Sequence, residues 1–185
     1  MKVIIASTSA IKVHAIQTFF PKANITCIDV ETSFIQPWGK VEALTCLSQR
    51  ITQCIPFATS DDTIIFAIEN FIFTEDGRFY DSVGIAVYRS RDIGQHFFIF
   101  DEKEFRVRVP DGIYQHIWDL QALGQLQTTV GDILMSSDIK YKSKDWFKAA
   151  GSDFDRQEQI ELGIRKVISN LFETRQWIRL HEEWK

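Results

Sequence analysis

The segment "IIASTSAIK" carries three consecutive hydroxyl side chains, Ser7, Thr8 and Ser9, directly after an apolar run, and a lysine, Lys12, three residues later. These hydroxyls stand where a helix would begin, and Ser or Thr there can satisfy unpaired N–H groups of the first turn. The same arrangement suits an anion, because backbone donors, the positive end of the helix dipole and Lys12 would all point at one phosphate. Both a capped helix start and a phosphate-binding turn remain open.

Glu69 stands inside the apolar run "IIFAIENFIF", where a solvated carboxylate would be unusual. Desolvating an unpaired charge costs several kcal/mol, so a buried carboxylate needs a metal ion, an Arg or Lys partner, or a proton. We interpret Glu69 as a metal-linked carboxylate rather than a structural ion pair. A salt bridge at the end of a strand is the alternative.

Three further polar positions could contribute to the same chemistry. Glu42 and Arg50 are two turns apart on the polar side of a predicted helix, where both can face a cleft or simply face solvent. Asp61 and Asp62 precede the run that contains Glu69, and they could hold a second ion or cap a turn. We take Glu42 as a candidate catalytic residue and Asp62 as a second candidate metal ligand.

These residues must be positioned by alternating strands and helices. The chain begins with a strand, a helix that ends at Pro21, and a second strand, which is the start of an α/β domain. No repeat or flexible linker divides the chain, so we expect a single domain over residues 1–185. The apolar spacing predicts strands over 2–6, 24–31, 63–73, 78–88 and 95–100, and helices over 9–20, 40–55, 112–120 and 154–172.

The two central strands are joined by "TEDG", whose Asp76-Gly77 suits a two-residue hairpin turn. In that register residue 75 pairs with 78 and Gly84 stands opposite Glu69. Because glycine has no side chain, we expect open space beside the carboxylate, through which a ligand or ion could approach.

The same register places Asp81 opposite Ile72, beside Asn70 and on the other face of the sheet from Glu69. Asp81 and Glu69 would then not share a metal ion. A loop one residue longer would reverse that conclusion, because side chains alternate between the two faces.

The overall composition narrows the class of protein. A net charge of −4 argues against a broad basic surface for nucleic acid, and no apolar run approaches the roughly 20 residues of a membrane span. We expect a cytoplasmic protein. Cys27, Cys46 and Cys54 form no C-x-x-C pair and are interpreted as reduced core or near-core thiols, and the four scattered histidines predict no metal site.

The order of the motifs resembles a known family, the non-canonical purine NTP phosphatases, which are inosine/xanthosine triphosphatases of the inosine triphosphate pyrophosphatase superfamily. The resemblance runs to about Gly131 and rests on order and spacing. The segments that carry it are "ASTSAIK", "VETSFIQPWG", Glu42 and Arg50 on a helix, "FAIEN", "RVPDGI" and "ALGQLQTTVG".

This sequence has only some of the residues that are typical of the family's motifs. Thr8 and Lys12 match the family's first turn, Gln36, Pro37, Gly39 and Glu42 resemble its acidic helix start, and Ile68 and Glu69 match its strand. Four positions depart from the pattern, namely Ser9 for asparagine, Phe71 for glycine, and Gln121 and Gln127 where acidic residues are usual. A neutral amide is a weaker ligand for a divalent ion and cannot act as a base.

The resemblance implies a twisted mixed sheet flanked by helices, with two lobes around a central cleft, usually in a homodimer. It implies hydrolysis of inosine or xanthosine triphosphate with Mg²⁺ or Mn²⁺, the metal on Glu69 and the phosphates on Ser7, Thr8, Ser9, Lys12 and Arg50. Lys12 and Glu42 would be the catalytic residues, Glu42 by orienting water.

Two other functions remain open. The four departures favour a nucleotide-binding protein that has lost catalysis and acts as a sensor, a sequestering protein or an assembly module. Trp146, Trp177 and Trp184 near the end of the chain suggest an interaction domain, although such residues are more often core or dimer contacts.

Overall fold

A computed structural model of the chain describes residues 1–91, 94–122, 128–137, 141 and 145–172. It contains a mixed β-sheet flanked by helices. The strands are β1 (Lys2–Ile5), β2 (Asn24–Cys27), β3 (Thr63–Glu75), β4 (Arg78–Arg89), β5 (Gly94–Phe100) and β6 (Val107–Arg108). The α-helices are α1 (Ala10–Phe19), α2 (Gly39–Cys54), α3 (Tyr114–Ala122), α4 (Val130–Ser137) and α5 (Arg156–Phe172).

The sheet order is β2-β1-β3-β4-β5, and β6 pairs with β4. Strand β1 is parallel to both β2 and β3, whereas β4 is antiparallel to both of its neighbours, β3 and β5. The mixed α/β class predicted from the order of strands and helices is therefore confirmed. The single two-lobed domain remains a prediction.

The predicted hairpin has the predicted register. Glu75 pairs with Arg78 around a turn in which Asp76 and Gly77 have φ angles of 49° and 70°. Two consecutive positive φ angles are typical of the two-residue turns that match the twist of a hairpin, and Asp-Gly tolerates them. Glu69 consequently lies opposite Gly84.

Alternate residues of β3 pack into different cores, which places α1 and α2 on opposite faces of the sheet. Ile64, Phe66 and Ile68 pack with residues of α1 and α5, such as Ile16 and Ile160. Residues at odd positions of β3, among them Ile65 and Ala67, pack with Leu47 and Ile51 of α2. Glu69 and Asn70 therefore direct their side chains to different faces, as predicted.

The distal part of the β3–β4 hairpin has its own apolar core, formed with α3, α4 and the segment around Trp146. Trp146 is fully buried there, so it is a core residue. Trp177, Trp184 and Gln127 lie outside the described residues, as does the side chain of Gln121. Helix α4 and strand β6 were not predicted, because the first is only 8 residues long and the second only 2.

The three thiols differ in exposure, which corrects one expectation. Cys46 and Cys54 are buried as predicted, but Cys27 is exposed at the end of β2, an edge strand of the sheet. The expectation failed for Cys27 because alternation along a short strand does not show which face a helix covers.

No helix within the described residues is long and apolar enough to cross a lipid bilayer.

We expect one thiol to react rapidly with Ellman's reagent in the native protein and three in denaturant. Cys27 is accessible, whereas burial raises the pKa of the Cys46 thiol and raises that of Cys54 to about 11. The reactive species is the thiolate. The Cys27→Ser variant should lose the rapid phase, and a second rapid thiol would contradict the described burial of α2.

Candidate functional site

The candidate site lies where β1 ends and β3 continues. Strand β1 pairs with β3 as far as Ile5 with Phe66, and the next β-pairing described on that edge of β3 is the bridge between Trp38 and Ile72. We call residues 67–71 with this unpaired edge the β3 notch. The connection from β1 through α1 lies on one face of the sheet, and the connection through α2 to β3 lies on the other face. The notch therefore lies at a topological switch point, where α/β sheets commonly bind ligands.

Glu69 is held in the notch by two cations from opposite faces of the sheet. Its Oε2 accepts a hydrogen bond from Arg50 Nε at 2.6 Å, and its Oε1 lies 3.8 Å from Lys12 Nζ. The Glu69, Arg50 and Lys12 side chains are only 10%, 13% and 14% exposed. The structure therefore shows an ion pair at Glu69, and the metal-binding role of this residue stays a prediction. The carboxylate is stabilised by the salt bridge that was the alternative interpretation.

Arg50 is fixed by more than its carboxylate partner. Its Nη1 donates to the carbonyl oxygens of Ala6 at 3.0 Å and Val30 at 3.2 Å. These bonds fasten α2 to the end of β1 and to the segment after β2. A phosphate ligand would therefore meet Arg50 through Nη2, or would have to displace one of these acceptors.

Lys12 reaches the same notch from α1. Its Nζ donates to the carbonyl oxygen of Ile68 at 2.7 Å, on the edge of β3 that β1 leaves unpaired. Burial lowers the pKa of the Lys12 ammonium; Glu69 opposes this shift, and the positive charges of Arg50 and Arg156 add to it. Lys12 is therefore a buried cation whose charged form would be favoured by an added anion.

The hydroxyl turn between β1 and α1 leaves the helix start without a side-chain cap. Ser9 is the residue that precedes α1, and it makes no capping hydrogen bond through its side chain. The nearly buried Ser7 accepts a hydrogen bond from the Ser9 N–H at 3.2 Å, while Thr8 and Ser9 are exposed. The capped-start interpretation is not what the structure shows. No acidic residue lies in the first turn of α1.

The contacts described for Glu42 and Asp62 do not involve Glu69, Arg50 or Lys12. Glu42 lies in the first turn of α2, where its Oε2 accepts a hydrogen bond from the Trp38 N–H at 2.7 Å. Asp62 precedes β3 and pairs with the α-amino group of Met1 at 3.0 Å. Seven residues of extended strand, about 23 Å, separate Asp62 from Glu69, so they cannot bind the same ion.

The open space expected beside Glu69 is not present. A Cβ atom at Gly84 would lie 2.9 Å from both Leu47 Cδ1 and Ile99 Cδ1, so these side chains already fill the position opposite the carboxylate. Phe71 is fully buried and packs against Phe73. The pairing register was predicted correctly, but the sequence did not show which side chains from α2 and β5 cover the glycine.

A second polar cluster lies on the other face of β3, and the sequence reasoning missed most of it. Asn70 Nδ2 donates to Asp81 Oδ1 at 3.0 Å and to Gln159 Oε1 at 2.8 Å, and Arg156 Nη2 donates to Asp81 Oδ2 at 2.8 Å. Burial raises the pKa of the Asp81 carboxyl, and Arg156 opposes that shift. Asp81 inside an apolar strand was a usable signal, whereas Arg156 and Gln159 resemble ordinary polar residues of an amphipathic helix.

The described residues contain no group of three or more His, Cys, Asp or Glu side chains that could hold a metal ion. This does not exclude Mg²⁺ bound with a nucleotide, because such an ion takes most of its ligands from phosphate oxygens and water and only one or two from carboxylates. Glu69 Oε1 lies 3.8 Å from its cationic partner, Lys12 Nζ, and is the carboxylate oxygen in the notch that could bind such an ion.

Comparison with known proteins supports the fold class alone. The sequence matches no known family profile and no curated protein. The structure is similar to the crystal structure of protein VC0702 from Vibrio cholerae, with a TM-score of 0.51 and 17% sequence identity over 73% of this chain and 74% of that chain. The two proteins share a mixed α/β fold.

Proposed function

We propose that the chain is a divalent-metal-dependent nucleoside triphosphate hydrolase acting on non-canonical purine nucleotides such as inosine or xanthosine triphosphate. The observation that carries the proposal is the meeting of Lys12 and Arg50 on the single carboxylate of Glu69 at a topological switch point. Two buried cations on one carboxylate leave positive charge that a polyphosphate would neutralise. The motif order described above supplies the substrate class.

In this proposal the phosphate tail lies against the Ser7-Thr8-Ser9 turn, where the uncapped N–H groups of α1 and its dipole favour an anion. Lys12 donates to the same phosphates. The residue that would hold Mg²⁺ or Mn²⁺ is Glu69, and such an ion neutralises phosphate charge and lowers the pKa of bound water. Glu42 would orient the attacking water after releasing the Trp38 N–H.

The second candidate function is nucleotide binding without catalysis. The geometry that favours it is the engagement of both Glu69 oxygens by cations, together with the buried Phe71 ring two residues away. A carboxylate that stays in its ion pair binds no metal, although Lys12 and the α1 start would still bind phosphate. A sensor or sequestering protein would need no more than this.

Incubating the purified protein with inosine, xanthosine and adenosine triphosphates and Mg²⁺, with phosphate and pyrophosphate measured separately, tests the proposal. We expect turnover of the first two nucleotides that EDTA abolishes. Binding without turnover would select the second function. Neither binding nor turnover would reject both.

The proposal also places the protein in the cytoplasm as a homodimer. Ile35 and Val41 are large apolar side chains exposed near the start of α2, and a second copy of the chain could cover them. Light scattering after size exclusion should give twice the monomer mass of 21.5 kDa. A monomer at micromolar concentration would remove the dimer from the proposal.

Nucleotide binding should take up protons at pH values between the pKa of Lys12 in the free protein and its pKa in the complex. Burial lowers the pKa of Lys12 below its ordinary value of 10.5, and a bound phosphate would raise it again by favouring the ammonium. Affinity should therefore fall as the pH rises from the free-state pKa towards the bound-state pKa. Calorimetry in two buffers of different ionisation enthalpy measures the uptake, and the Lys12→Met variant should abolish it.

A further inference from the structure

The second polar cluster, which consists of Asn70, Asp81, Arg156 and Gln159 and is called the Asp81 cluster below, holds the Arg156 side chain in place. Asp81 is buried and its two oxygens accept from Asn70 Nδ2 and Arg156 Nη2. Gln159 Nε2 donates to the carbonyl oxygen of Phe105 at 2.6 Å, which fastens the start of α5 to the loop after β5. The Arg156 guanidinium also lies 4.9 Å from the centre of the Phe147 ring. Its position is fixed by charge, hydrogen bonding and an aromatic face.

Two buried polar atoms of this cluster have no hydrogen-bond partner among the described residues, Arg156 Nε and Asn70 Oδ1. Asn70 is only 7% exposed. An unsatisfied buried donor or acceptor is costly, so native proteins rarely keep one without a ligand or water to satisfy it. A donor and an acceptor close to one carboxylate therefore indicate a polar occupant on this side of β3.

That side of the strand is the side of Lys12. Helices α1 and α5 pack on the same face of β3, and Asn70 directs its side chain to that face. Thr18 Oγ1 of α1 donates to Glu161 Oε1 of α5 at 3.1 Å, six residues after Lys12 and five residues after Arg156, so the two helices that carry these cations are in contact. The positive charge of Arg156 also contributes to lowering the pKa of Lys12, after burial and Arg50. Like charges held together in a low-dielectric region are stabilised by an anion between them.

We propose that Arg156 is a second phosphate-binding residue of the β3 notch, donating through Nε to the anion that Lys12 also contacts, with Asp81 as its positioning residue. This inference rests on the proposed function, because it deepens the same site. Asn70 Oδ1 can only accept, and phosphate at neutral pH offers no proton, so Asn70 binds a water molecule beside the anion. The polyphosphate is therefore contacted from α1 and from α5.

The test compares two arginine-to-lysine variants by titration calorimetry with inorganic tripolyphosphate and with inosine triphosphate. Arg156→Lys keeps the charge beside Asp81 but removes the Nε donor, and we expect affinity for both ligands to fall about ten-fold. Arg106→Lys is the matched control. Arg106 pairs with Glu75 at 2.7 Å and covers the Tyr80 ring at 4.3 Å, and its replacement should leave affinity unchanged.

Unchanged affinity in Arg156→Lys, with wild-type binding intact, would overturn the inference and leave the proposed function standing. A wild-type protein that binds neither ligand would overturn both. If Arg156→Lys fails to fold, the contact is tested in the wild-type protein through the resonance of its Arg156 side chain. The Arg156 Nε–H resonance, assigned through bonds, should move when tripolyphosphate is added, and a stationary resonance at saturation would reject the contact.

Discussion

Replacing Glu69 with glutamine should lower the free energy of unfolding by about 3 kcal/mol, because the change leaves two buried cations without their carboxylate. Arg50 and Lys12 are both mostly buried, and Glu69 is the only anionic side chain with which the described ion pairs join them. Glutamine keeps the shape and one acceptor oxygen but not the charge. Urea denaturation monitored by circular dichroism measures the loss directly.

Glu75→Gln is the matched control for that variant. Glu75 belongs to the same strand and pairs with Arg106 at 2.7 Å, but its side chain is 48% exposed. Solvent-exposed ion pairs contribute about 0–1 kcal/mol, so the control should lose no more than that. Equal stability of the Glu69→Gln and wild-type proteins would contradict the ion pair and favour a carboxylate free for metal. Loss of Mg²⁺-dependent turnover in a still-folded Glu69→Gln protein would support the metal role as well.

Replacing Lys12 with methionine should reduce affinity for inosine triphosphate at least about ten-fold while leaving the fold intact. A charge-assisted hydrogen bond to phosphate contributes about 1.5–3 kcal/mol, which corresponds to that change in affinity. Methionine fills a similar volume without the desolvated ammonium, and Glu69 keeps Arg50 as its partner. Titration calorimetry gives the affinity, and thermal denaturation shows that the fold is retained.

Lys2→Met is the control variant for Lys12→Met. Lys2 lies at the beginning of β1, whereas Lys12 lies on α1, which follows the end of that strand. Lys2 Nζ also donates to a backbone carbonyl, that of Phe57 at 3.0 Å, but it lies far from the notch. We expect its replacement to leave nucleotide affinity unchanged. If both variants bind as tightly as the wild type, Lys12 does not belong to the site.

Much of the fold could be predicted because its signals are local. Asp76-Gly77 between two apolar runs determined the hairpin and its register, and with them the opposition of Glu69 and Gly84. Pro21 lies just after the end of α1, as predicted. Short elements escaped prediction, since 8 residues of α4 cover barely two helical turns.

The set of residues that form the site could not be predicted from local sequence signals, because the contacts of the site join distant parts of the chain. Arg50 reaches Glu69 of β3 from helix α2, 19 positions earlier in the chain, and Leu47 with Ile99 fills the space that was expected beside Gly84. Period-two alternation gives the face to which a side chain points but not the element that covers that face. Arg156 was missed for the same reason, because Asp81 lies 75 positions earlier in the chain.

The central claim is that the β3 notch binds the phosphates of a purine nucleoside triphosphate. A crystal structure of the protein with a non-hydrolysable inosine triphosphate analogue and Mg²⁺ tests it most directly. The account predicts phosphate oxygens within hydrogen-bond distance of Lys12 Nζ and of the backbone N–H groups at the start of α1. An analogue bound elsewhere, with the Lys12–Glu69–Arg50 cluster unchanged and no phosphate against it, would contradict the account.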